Sequence, residues 1–167
     1  MAEGAAAYWA AMDPYPRTTP ADTRLHPFWA HLAEGRLTTT RCRGCGHVPW
    51  PPRVVCPACL GDDLEWVDLP TQGTVAGYVV QESGLPPGFG DWAIFALVDV
   101  GAVRLLSRLV GCQPSQVHVG MPVVLVPWEV PGAPGQPHRL LPAFTPAGGP
   151  AGLGRASPCS QTGSSHP

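Results

Sequence analysis

The sequence predicts a mainly β protein with N-terminal helices, in which a four-cysteine metal module precedes a small β-barrel. Three observations lead there. Helical text is confined to the first 36 residues, two C-x-x-C pairs stand ten residues apart, and from Gly73 onward Val-, Leu- and aromatic-rich runs alternate with Gly and Pro.

Residues 1–12 are Ala-rich and favour a short helix, which Asp13-Pro14-Tyr15-Pro16 ends because proline cannot continue the hydrogen-bond ladder. A second helix follows, with Pro27 in its first turn, Phe28, Trp29 and Leu32 on one face and Gly35 suited to a left-handed cap. Together, 1–36 form an N-terminal helical segment. The text of 37–68 then becomes polar, β-branched and rich in Cys, Gly and Pro, so it lacks a hydrophobic core of its own and depends on its metal.

Four strands are visible in the segment 69–130: GTVAGYVVQE, WAIFALVDV, AVRLLSRLVG and PVVLVPW. A weaker fifth, HRLLPAF, carries Pro142, which confines it to an edge ending at 144. Five short strands without long helices fit an OB-type barrel better than a sandwich of seven or more strands. The remainder, 145–167, is rich in Pro, Gly and Ser and reads as disordered.

Composition narrows the chemistry. With 167 residues and 44% hydrophobic content, the chain has material for one ordinary domain or two small ones. Charged residues make up only 13% and the net charge is -2, which gives bulk attraction to nucleic acid no support. All ten cationic side chains are Arg, so Schiff-base, P-loop and general-base lysines are excluded. No apolar run approaches bilayer length, and the first residues lack a basic n-region and an apolar h-region, so the expected location is soluble and cytoplasmic.

Cys42, Cys45, Cys56 and Cys59 form the strongest motif. In RCRGCG and VCPACLG each pair sits on a tight turn, and two such knuckles bring four thiolates to the corners of a tetrahedron. Zinc takes that set as a closed structural site. A rubredoxin-type iron centre, two disulfides and a redox dithiol are the competing readings; the ten-residue gap favours a zinc ribbon over iron. His47 reads as a surface residue beside the ligands, while Cys112 and Cys159 have no partner at ligand spacing.

Motifs of independent catalysis are missing: there is no G-x-S-x-G, H-E-x-x-H or P-loop. Asp62, Asp63, Glu65 and Asp68 read as a solvated turn, Asp99 as turn chemistry, and His26, His31, His118 and His138 as isolated surface or capping residues. Arginine placement stands out instead. Arg36, Arg41, Arg43 and Arg53 surround the cysteines with no carboxylate between Arg36 and Cys59, and Arg104 and Arg108 share one strand face. Two readings remain open: an anion-binding groove between metal module and barrel, with Trp50, Trp66 or Tyr78 stacking on a purine, or solvated charges on a sheet edge.

The order of these features resembles a known family, the OB-fold proteins with an acyl-CoA-associated zinc ribbon, long catalogued as a domain of unknown function. HPFWAHLAEGRLTTTRCRGCGHVPWPPRVVCPACLGDDLEWVDLPTQGTV, FALVDV, RLLSRLVGC and VGMPVVLV carry the resemblance, which spans 26–126. It implies a helical N-terminus, a rubredoxin-like zinc ribbon with Cys42, Cys45, Cys56 and Cys59 as ligands, and a C-terminal OB-fold. It also implies no catalysis by the chain alone. The implied partner is a thiolase-superfamily enzyme or an acyl-CoA hydratase, including ketoacyl-CoA thiolases and the aldolases of steroid side-chain breakdown, in a two-plus-two assembly. Acyl-CoA then lies at or near the interface, and Arg41, Arg43, Arg53, Arg104 and Arg108 are the candidate CoA contacts. The rival function, a single-strand nucleic-acid binder, requires a basic barrel, whereas 73–128 holds Arg104 and Arg108 against Glu82, Asp91 and Asp99.

Overall fold

In the computed structural model the described residues are 16, 18–85, 92–130 and 139–148; the expected helix at 1–12 and the tail from 149 lie outside them. One helix, α1 (His26–Ala33), is followed by a two-stranded antiparallel ribbon, β1 (Leu37–Cys42) and β2 (Leu64–Leu69). Five strands then close a barrel: β3 (Gln72–Gln81), β4 (Ala93–Val100), β5 (Val103–Leu109), β6 (Pro122–Val130) and β7 (Arg139–Pro146), in the order β3-β4-β5-β7-β6. All barrel pairings are antiparallel except β5 with β7, an OB-fold arrangement.

Pro27 sits in the first turn of α1, and Gly35, at φ +78°, follows its end in the left-handed region as the sequence predicts. The helix buries Phe28 and Leu32, and these join Leu37 and Leu69 of the ribbon in the same core as Val75, Val98 and Phe144 of the barrel. Ribbon and barrel therefore share one apolar core, built by period-two alternation in β4 and β5.

The fifth strand departs from expectation. Instead of an edge strand stopping at 144, β7 runs to Pro146 and sits between β5 and β6, closing the barrel. Pro142 is tolerated because it lies opposite Pro127, so two residues unable to donate share one rung. Its carbonyl is satisfied by the buried Ser107 hydroxyl at 2.8 Å. Phe144, fully buried, fills the interior and anchors the strand.

Candidate metal centre

Four of the five described cysteines converge where the ribbon's turns meet. The Sγ atoms of Cys42, Cys45, Cys56 and Cys59 all lie within 4.8 Å of one another. Cys42 and Cys59 are 3.5 Å apart and Cys45 and Cys56 3.6 Å, close to the edge of about 3.8 Å in a tetrahedron with metal–sulfur bonds of about 2.3 Å. None is disulfide-bonded, so the two-disulfide reading does not hold in this fold.

Backbone hydrogen bonding explains the convergence. In the first knuckle Gly46 N–H donates to the Cys42 carbonyl at 2.8 Å and Cys42 N–H to the His47 carbonyl at 2.9 Å. The second repeats this offset for offset: Leu60 N–H donates to the Cys56 carbonyl at 2.9 Å and Cys56 N–H to Gly61 at 2.8 Å. Both knuckles need a left-handed residue after the second cysteine. Gly46 supplies it at φ +74° without cost, and Leu60 at φ +61° with strain.

Protonation shows why this donor set fits a cation. The Cys45 thiol is influenced most by the His47 backbone N–H, which lowers its pKa, yet hydrogen bonds with Cys59 and Cys56 outweigh that and push it up to about 12. Burial is the largest influence on Cys56 and raises its pKa, but the N–H groups of Cys59 and Ala58 and the neighbouring thiols bring it down to about 7. Four crowded sulfurs cannot all ionise unless a positive charge sits among them. The residues thus fit one tetrahedral ion, and zinc would hold the knuckles together through a closed set of four thiolates.

The linker between the knuckles is positioned by β1, whose buried side chains include three threonines. Thr39 donates to the Pro49 carbonyl at 2.5 Å, while the Thr40 hydroxyl accepts from Arg53 N–H at 3.0 Å and donates to the Arg53 carbonyl at 3.2 Å. Thr38 bonds His31 of α1 at 3.0 Å, and the His31 ring packs edge-on to Trp66. His31 is therefore a tie between helix and ribbon. His47 is exposed beside the centre and is not among the four converging ligands.

The arginines separate into distinct environments. The cationic surface expected around the cysteines is largely neutralised, because antiparallel pairing returns the acids of 63–68 opposite the arginines. Arg41 and Arg43 both bond Glu65, Arg43 also reaches Asp63 at 3.4 Å, and Arg36 grips Asp68 through two bonds of 2.9 and 3.0 Å. These bonds hold the carboxyls of Glu65 and Asp68 below their ordinary range. Asp99 and Arg104 pair likewise across β4 and β5, through the Nε and Nη2 of Arg104. Arg108 stacks 4.3 Å over the Trp128 ring.

Arg53 has no carboxylate partner among the described residues. With Arg104 it lines a groove of about 320 Å³ between ribbon and barrel, together with His47, Trp50, Pro57 and Val103. Of the aromatics considered for stacking, Trp50 lines this groove, Trp66 packs against His31 and the core, and Tyr78 lies on β3. Cys112 is a buried core residue, and Cys159 and His138 lie outside the described residues. No described helix is long and apolar enough to cross a membrane.

Comparison with known proteins matches residues 29–65 to the ChsH2 rubredoxin-like zinc ribbon domain and 66–127 to the ChsH2 C-terminal OB-fold domain. The chain is 35% identical over 133 residues to a probable enoyl-CoA hydratase alpha subunit of Thermomonospora curvata, covering 78% of this chain but only 40% of that longer relative. It is 32% identical to a DUF35 domain-containing scaffold protein of Methanocaldococcus jannaschii, covering 59% of this chain and 72% of the relative. Among solved structures, a chain of the Ltp2-ChsH2(DUF35) aldolase superposes with a TM-score of 0.63 at 33% identity, over 77% of this chain and 98% of that one. A DUF35 protein of unknown function from Sulfolobus solfataricus shares the fold, with a TM-score of 0.52 at 18% identity over 84% of this chain and 97% of that one. Two converging knuckles on a ribbon, followed by a five-stranded barrel, place this chain in the ChsH2 (DUF35) family of proteins that join a rubredoxin-like zinc ribbon to a C-terminal OB-fold.

Proposed function

We propose that the chain is a non-catalytic scaffold subunit that assembles with a thiolase-superfamily or aldolase enzyme of acyl-CoA metabolism and helps to form its acyl-CoA site. The observation that carries this reading is the likeness to the Ltp2-ChsH2(DUF35) aldolase, which extends over nearly the whole of that chain. Relatives described as a scaffold and as a hydratase alpha subunit support it. The chain's own residues hold a closed thiolate site without an open coordination position, which suits a structural anchor and not a reaction centre.

The outer face of the barrel supplies a surface for such a partner. Leu97 and Leu106 are cross-strand neighbours on it, 42% and 67% exposed, and Val79 flanks them at 61%. Apolar residues clustered on a strand face mark an interaction site more often than isolated ones do. In the complex, bond-making chemistry belongs to the partner, while this chain orders the partner's loops and excludes water from the acyl-CoA tunnel.

Co-expression with a thiolase-like protein from the same genome tests this reading. The two are expected to co-purify with zinc bound, and the double substitution Leu97→Glu with Leu106→Glu is expected to abolish co-purification while leaving the chain folded. A thiolase-like protein that is soluble and fully active without this chain would overturn the scaffold role.

A further inference from the structure

The two knuckles repeat one another in backbone but not in side chain. The first presents Arg43, Gly44, Cys45, Gly46 and His47 to solvent, whereas the second carries no charged side chain from Val54 to Gly61. Val54, Val55, Pro57, Ala58 and Leu60 are all exposed there, and Leu60, at 77%, is the most exposed large apolar residue among those described. They lie together, because Cys56 N–H donates to the Gly61 carbonyl and Leu60 N–H to the Cys56 carbonyl, which lays 55–56 beside 60–61. Leu60 also holds φ at +61°, in the left-handed region where the first knuckle has Gly46. A Cβ at Gly46 would meet nothing within 4 Å, so this turn geometry has no packing need for a side chain. Leucine at the equivalent position strains the backbone and exposes apolar area, and it joins neither apolar cluster of the described residues.

We propose that Leu60 is the anchor by which the second knuckle docks into an apolar pocket on the thiolase-like partner, with Val54, Val55 and Pro57 packed around it; this rests on the scaffold reading above. Contiguous exposed apolar residues mark interaction sites, and the binding energy of such sites concentrates in a few well-enclosed anchors. The turn is a rigid mount. Cys56 and Cys59 belong to the converging thiolates, and the backbone entering the knuckle is fixed where the N–H and the carbonyl of Arg53 both bond the Thr40 hydroxyl, so docking orders little that is not already ordered. Charge orients the contact. Arg53 on one flank and Asp62 on the other are exposed and have no ion-pair partner among the described residues, so the pocket that fits carries an acid and a base at opposite rims. A second copy of the chain is a poorer occupant. Residues 57–60 form a turn exposed at every position, and two such convex tips bury little of each other, whereas a pocket encloses Leu60 on all sides. This contact on the ribbon is additional to the Leu97 and Leu106 face, which lies on the barrel.

Leu60→Gly separates docking from a structural role, because the two predict opposite signs. Relief of the left-handed strain is expected to leave the zinc affinity of the full chain, read by competition with a chelator, unchanged or up to about fivefold higher. Loss of the anchor is expected to weaken calorimetric binding of the zinc-loaded full chain to the thiolase-like protein from the same genome by about tenfold or more. Leu60→Met, which keeps the apolar bulk, is expected to bind within about threefold of the unaltered chain. Equal partner affinity in Leu60→Gly and the unaltered chain would overturn the anchor and leave the scaffold reading standing. An unaltered zinc-loaded chain that does not bind the thiolase-like protein would overturn both. In sedimentation the free chain is expected to be a monomer; a dimer that Leu60→Gly converts to monomer would give the patch to a second copy and overturn the docking site. Zinc content below one equivalent in Leu60→Gly would show that Leu60 supports the knuckle itself, and would overturn it too.

Discussion

Ribbon and barrel are both made of antiparallel strands, yet they bury different chemistry. In the barrel the fully buried positions include Val75, Ile94, Val98, Leu105, Val123 and Phe144, and closure of the sheet satisfies the backbone. In the ribbon, β1 is buried at five of its six positions, but three of these are Thr38, Thr39 and Thr40, each tied by a specific hydrogen bond. Two strands cannot cover a core of their own. The ribbon therefore relies on directed bonds and a metal, while the barrel relies on apolar area, and the two should fail differently.

Removal of the metal gives the largest expected effect. A structural zinc site contributes about 10 kcal/mol of apparent binding free energy, so chelation or Cys45→Ser is expected to release residues 37–69 into rapid amide exchange while β3–β7 remain protected. Exchange of barrel amides as fast as those of the ribbon would show that the shared core makes the two inseparable. Acidification should act in the same direction. Zinc requires deprotonated sulfur, and the metal-free Cys45 thiol, at about 12, holds its proton, so zinc affinity must fall as pH falls. The carboxylate partners work elsewhere on the scale. Asp68 and Asp99 have lowered pKa values, principally through bonds to Arg36 and Arg104, so their contribution is present above the ordinary carboxylate pKa and is lost only as pH drops through the lowered one. Between pH 8 and about 5.5 the ribbon should thus loosen without loss of these ion pairs.

Next in size is Phe144→Ala, which opens a cavity in a closed barrel and is expected to cost about 3–5 kcal/mol in denaturant unfolding. Zinc content in native buffer should stay at one equivalent per chain; a substantial loss of zinc would mean that barrel packing also sets the knuckle geometry. The smallest of the three is Thr39→Val. It keeps the side-chain shape but leaves the buried Pro49 carbonyl without its hydroxyl donor, costing about 1–3 kcal/mol. Exchange should rise in 47–53 ahead of the barrel strands, and a uniform rise would argue against the clamp.

Legibility followed the range of the interaction. The four ligands were readable because C-x-x-C on a turn is a local pattern, and the first four barrel strands because alternation is local too. β7 reads as an edge strand in the sequence, since Pro142 argues against a central position and only the fold brings Pro127 and Ser107 to face it. The pairing of the arginines is illegible in the sequence for a similar reason. Arg41 and Glu65 are 24 residues apart, and only the ribbon register makes them neighbours.

By itself, then, the sequence determined the metal chemistry, the run of strands and the want of familiar catalytic motifs, because each depends on residue type at short spacing. Tertiary structure decided which strand closes the barrel, which arginines are neutralised, and that the linker between the knuckles and the start of β5 line one groove. Those outcomes depend on pairing register and on the packing of a polar ribbon against an apolar barrel, and distant residues acquire their neighbours only when the chain closes on itself.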